Sequence, residues 1–209
     1  MVAGWQAGDV TSPLDDLLPG DDLDGARLED AVLDGRDLAG SSLLECAFAR
    51  CSLDELRLDR ARLVDTAFEE CRAGSMSAAS GTWQDVTWTG ARVGALLAGG
   101  SAWNRVELRG GKLDYVNLRG ARLDTVRLVE VVVDELDLTD AQVRGLTFES
   151  CRVRSLTLRG ARLRSTDLRG LDGLQALAGA DGLAGARITQ GQLLELAPLL
   201  AEHLGLVVD

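Results

Sequence analysis

Four cysteines, one histidine and thirty-three carboxylates are the residues of this sequence that could carry chemistry. Cys46, Cys51, Cys71 and Cys151 could act as thiolate nucleophiles or metal ligands, His203 as a general base, and the carboxylates as acid–base pairs. Spacing argues against each. The cysteine spacing as a whole does not suggest a zinc site. His203 lies on a predicted terminal helix, so no cysteine or serine has a base within reach. No P-loop or dinucleotide fingerprint is present, and paired carboxylates need a pocket that perturbs them. No catalytic, cofactor-binding or metal-binding residue is therefore assigned. The chain is expected to be no enzyme, to need no cofactor and to take no small-molecule substrate.

The element that positions these residues repeats every five. Stepping from Leu23 to Leu168 gives thirty centres, all apolar: seventeen Leu, three Phe, three Trp, four Val and three Ala. The positions two earlier, Ala26 to Thr166, are small or apolar except Arg36, and Asp21 departs at the entrance. A period of five is neither helical nor that of a long strand. It suits a three-residue strand and a two-residue corner, with the centre and its partner facing inward and the residue between them facing water. Glycine recurs at the corners, as at Gly40, Gly90, Gly110, Gly120, Gly160 and Gly170. All four cysteines fall in inward slots, where they serve as small core residues. Cys51 and Cys71 should lie about 4.8 Å apart in adjacent coils; a reducing compartment and in-register strands argue against a disulfide between them.

Twenty residues make one coil. Ser41, Ala61, Gly81, Ser101, Ala121, Ala141 and Ala161 are all small, whereas Leu56, Met76, Leu96, Val116, Leu136 and Leu156 are all large. A three-sided coil of fifteen would mix the two sets. Four sides also stack Phe48, Phe68 and Trp88 in one column and Trp83 on Trp103.

With these repeats the chain resembles the pentapeptide-repeat family, consensus A-(D/N)-L-x-x, over about residues 21 to 170. The resemblance implies an all-β solenoid, a right-handed quadrilateral parallel β-helix with a C-terminal α-helical cap. Three segments are expected: 1–20, an irregular N-terminal cap or tail; 21–170, the β-helix; and 171–209, loosened repeats and a C-terminal helix. Trp5, Leu14, Leu17 and Leu18 could cover the first coil. Repeats could return at Leu183 and Ile188. Thr189 and Gln192 form a capping box, Leu193, Leu196, Ala197, Leu200 and Leu204 form a stripe facing the last coil, Gly205 stops the helix, and Pro198 should kink or split it.

The net charge of −11 opposes direct nucleic-acid binding. With no signal segment and no membrane-spanning run, a soluble cytoplasmic protein is expected. Charge is unevenly spread. Residues 1–70 hold seventeen acids against six bases, and residues 141–170 two acids against seven bases. On four faces Glu45, Asp65 and Asp85 stack outward, as do Asp34 with Asp54 and Asp114 with Asp134; Arg72, Arg92 and Lys112 form a basic ladder. These like-charged columns should be tolerated rather than stabilising. Family members of the MfpA and Qnr type are acidic dimeric rods that mimic DNA toward type II topoisomerases. The resemblance thus implies a non-catalytic partner of DNA gyrase or a related enzyme, able to protect it from fluoroquinolones and bound through Asp34, Glu45, Asp54, Asp65, Asp85, Asp114 and Asp134. It also implies a homodimer through the C-terminus, for which Leu194, Leu199, Leu206 and Val208 supply surplus apolar surface. The basic segment 141–170 departs from a uniformly anionic mimic, and a scaffold for an unrelated protein partner is the alternative.

Overall fold

The computed structural model describes residues 18–207. The cover expected from Trp5, Leu14 and Leu17, and Val208 of the expected dimer surface, lie outside the described residues. The chain winds as a four-faced parallel β-helix in which residue n pairs with residue n + 20. On the first face Leu23, Leu43, Leu63, Trp83, Trp103, Leu123, Val143 and Leu163 follow one another across the ladder. All thirty centres are buried. Phe48 stacks on Phe68 at 4.8 Å between ring centroids, Phe68 on Trp88 at 4.1 Å and Trp83 on Trp103 at 4.7 Å. Parallel strands in register force this, because each side chain meets its equivalent one strand spacing away.

Corners are made chiefly by one left-handed residue every fifth position. Glycine is not required: among the described residues fifteen that are not glycine, including Asp30, Glu45, Arg60, Glu70 and Asp85, have φ between 49° and 58°. From the third coil onward one corner in four changes. Ser75, Ala95, Tyr115, Glu135 and Ser155 are not left-handed, and the third and fourth faces merge into single strands such as Arg72–Ser77 and Arg92–Leu97.

The last coil slips by one residue. Ser155 and Leu156 pair with Ala176 and Leu177, an offset of twenty-one. A 3-10 turn at Ala180–Leu183 absorbs the slip, and Asp167 bridges Arg187 at an offset of twenty again. A repeat thus returns beside Ile188, whereas Leu183 ends a turn rather than occupying a strand.

Helix α1, Gln190–Leu204, carries both halves of the capping box between Thr189 and Gln192 and stops at left-handed Gly205. Pro198 does not split it. The carbonyl four residues earlier belongs to Leu194, on the exposed side of the helix, where solvent can take the place of the lost bond. The helix is rotated from the expected stripe. Gln192 and Leu196 are its buried residues, while Leu193 is 49% and Leu204 69% exposed. The reason is polar: Gln192 Nε2 donates to the carbonyls of Leu168 and Leu171, each at 2.7 Å. Two coils earlier Val131 O accepts from the backbone N–H of Arg152, twenty-one residues on. Gln192 is twenty-one residues after Leu171, so its side chain substitutes for the N–H that a further coil would have supplied.

Candidate partner-binding surface

The cysteines lie in the interior, shielded from solvent. The four cysteines are free and buried. Cys46 Sγ donates to Leu44 O at 3.3 Å and Cys151 Sγ to Glu149 O at 3.4 Å. Burial pushes both thiols up, away from the nucleophilic thiolate. His203 sits on the helix cap with Nε2 3.9 Å from Asp181 Oδ1. No His, Cys, Asp or Glu cluster able to hold a metal occurs among the described residues. Nor is any described helix long and apolar enough to cross a membrane.

What remains is the surface. The register places Glu45, Asp65 and Asp85 along the corner between the first and second faces, as expected. The column then turns basic. Arg105 continues it and grips Asp85 with two bonds of 2.5 and 2.6 Å, and this guanidinium holds the Asp85 carboxyl below the usual carboxylate range. Glu45 and Asp65 form no ion pair among the described residues. Across the second face stand Glu69 and Glu70, exposed and likewise without an ion pair among the described residues. Half-buried Ala47, Ala49 and Ala67 floor the space between the two ridges, which lie about 10 Å apart across a three-residue strand.

The other candidate acids are already engaged. Asp34 Oδ1 accepts the N–H of Asp54 at 2.9 Å, and Asp54 Oδ1 that of Ser75 at 3.0 Å. This column therefore ties coil to coil instead of being merely tolerated. Lys112 Nζ lies 2.7 Å from Asp114 and 3.2 Å from Asp134, which also faces Arg154 at 3.9 Å. Of the apolar candidates, Leu194 is 71% and Leu206 60% exposed. Leu199 is half-buried and turned toward Leu177 and Gly179 of the last coil, so it offers little to a second molecule.

Sequence reasoning missed the cation that follows an acid one coil later. Asp30 pairs with Arg50, Asp37 with Arg57, Asp85 with Arg105, Asp124 with Arg144 and Asp134 with Arg154. Each pair is twenty residues apart, a spacing readable in the sequence once the coil length is known.

Residues 41–118 match the model of the pentapeptide repeat region. No curated protein matches the chain. Among solved structures, it is similar to HetL, a pentapeptide repeat protein involved in heterocyst differentiation regulation from the cyanobacterium Nostoc sp., at 19% identity and a TM-score of 0.34 over 84% of this chain and 92% of that one. It is also similar to full-length QnrB1, a plasmid-mediated fluoroquinolone resistance protein, at 15% identity and a TM-score of 0.31 over 88% of this chain and 100% of that one. Residues 41–118 are thus similar to the pentapeptide repeat region, and the same five-residue step continues on both sides of the matched stretch.

Proposed function

We propose that this protein is a non-catalytic binding protein whose acidic ridges engage a basic, DNA-binding surface of a type II topoisomerase such as DNA gyrase, modulating the enzyme and protecting it from inhibitors. The observation that carries the reading is the pair of ridges that form no ion pair among the described residues, Glu45 and Asp65 against Glu69 and Glu70, above Ala47, Ala49 and Ala67 of the second face. Eight coils, with seven spacings of about 4.8 Å between them, span about 34 Å, close to one helical turn of duplex DNA. The exposed Leu194 and Leu206 near the C-terminus favour a homodimer, which doubles that length. A scaffold for another protein is favoured instead by the cations that neutralise Asp85, Asp114 and Asp134. Supercoiling assays with purified gyrase, with calorimetric titration across a salt series, test the reading. The wild-type protein should inhibit or modulate supercoiling and bind more weakly as salt rises. Replacing Glu45, Asp65 and Asp85 together by Lys should abolish binding while the far-UV spectrum is kept. Unchanged binding of that variant would sink the assignment.

A further inference from the structure

The first face of the prism carries a charge pattern complementary to itself. Its eight strands form one unbroken ladder, from Asp22–Asp24 to Arg162–Arg164. Two outward rows run along it. One reads Asp22, Ser42, Arg62, Thr82, Ala102, Arg122, Gln142, Arg162; the other reads Asp24, Leu44, Val64, Gln84, Asn104, Asp124, Arg144, Arg164. Asp22, Asp24, Arg162 and Arg164 are exposed and form no ion pair among the described residues.

We propose that this face binds a second copy of the chain, side by side and antiparallel. A two-fold axis lying across the face between the coils of Thr82 and Ala102 reverses the rod and keeps each row opposite itself. Asp22 then meets the partner's Arg162, and Asp24 the partner's Arg164, at both ends of the strip. Gln84 meets the partner's Asn104, an amide-to-amide match that repeats by symmetry. One match brings like charges together, Arg62 with the partner's Arg122, and Leu44 and Val64 face the partner's Arg144 and the partner's Asp124, which stay paired with each other. Nucleic acid suits this face less well. Its aromatic residues, Trp83 and Trp103, are buried, so bases have nothing to stack on, and a chain of net charge −11 repels a polyanion.

The strip is about 34 Å long and covers roughly 500 Å² per copy, short of the ~800 Å² of a standard stable interface. Association should accordingly be weak, reversible and governed by salt. Sedimentation of the full chain at tens of micromolar tests this. Dimer is expected in about 50 mM salt, with the association constant at least about tenfold lower at about 0.5 M. On the Leu194→Asp/Leu206→Asp background, which removes any C-terminal contact, the Asp22→Arg/Asp24→Arg and Arg162→Asp/Arg164→Asp variants should each be monomeric. Their equimolar mixture should dimerise, because every exchanged pair is restored in the heterodimer. Leu194→Asp/Leu206→Asp should leave this association intact. A wild-type monomer at both salt concentrations, failure of the mixture to pair, or loss of the dimer in the Leu194/Leu206 variant would overturn the proposal. Gyrase binding is not the readout, so the two ideas fail separately.

Discussion

The inward slot at Gly111 and the corner at Gly120 show how unequal two left-handed residues can be. Gly111 has φ 87°, and a Cβ there would stand 2.1 Å from the carbonyl oxygen of Ala91; Gly120 has φ 65° and open space around it. Gly120→Ala should cost about 1 kcal/mol, the strain of the backbone alone. Gly111→Ala adds a clash with backbone that cannot turn aside, and should cost about 3 kcal/mol or more by denaturant unfolding. The stacked tryptophans give a second test. The indole N–H groups of Trp83, Trp88 and Trp103 are buried without a partner. Trp83→Phe should therefore lose about 1–2 kcal/mol, since it also removes an unsatisfied donor, whereas Trp83→Ala should lose about 3–5. Outside, Asp85 titrates low because Arg105 binds its charged form. A folded-state value below the unfolded one stabilises the protein above the ordinary carboxylate pKa, and the contribution is lost as pH falls through the folded value. In Arg105→Gln an NMR titration should find the Asp85 carboxyl back in its usual range.

At the scale of the element, the end of the ladder is decided by one polar side chain. Gln192 serves the capping box through its backbone and its Oε1, and the last coil through its Nε2. Gln192→Glu keeps the acceptor for the cap and removes the donor to Leu168 O and Leu171 O. It should cost about 2 kcal/mol or more, with faster hydrogen exchange confined to α1 and the last coil. The helix, its cap and its stop at Gly205 were legible in the sequence because capping chemistry is local. Its rotation was not. An apolar stripe was the only guide to which side faces inward, and the carbonyls of Leu168 and Leu171 outweigh Leu193 and Leu204. The corners were half legible for a similar reason. Glycine marks some of them, but the ladder holds Glu45 and Arg60 left-handed as well, and no propensity of those residues announces it.

Across the whole molecule, the four faces and the internal columns were legible because core volume is sorted at the coil length. The charges were legible only as columns. Counting Glu45, Asp65 and Asp85 as one acidic ladder overlooked Arg105 in the next coil, and counting Asp34 with Asp54 overlooked the N–H groups that both carboxylates accept. The surface therefore carries less free negative charge than the composition suggests, concentrated on the coils before residue 71.

The pairing of n with n + 20 also makes the chain a four-position dial. Removing one complete turn, for instance residues 103–122, shortens the rod by about 4.8 Å and leaves every later side chain on its original face, so that protein should fold with nearly unchanged cooperativity. Removing only residues 103–107 preserves the five-residue rhythm but advances everything downstream by a quarter turn. The slot of Ser101 would then be followed by Val126 and Leu146 rather than by Ala121 and Ala141, and the arginines of the last coil would point ninety degrees away from Asp22 and Asp24. The shorter excision should be the more damaging one, visible as a lower melting temperature for the five-residue deletion than for the twenty-residue deletion. Length in such a rod can change freely only in whole revolutions.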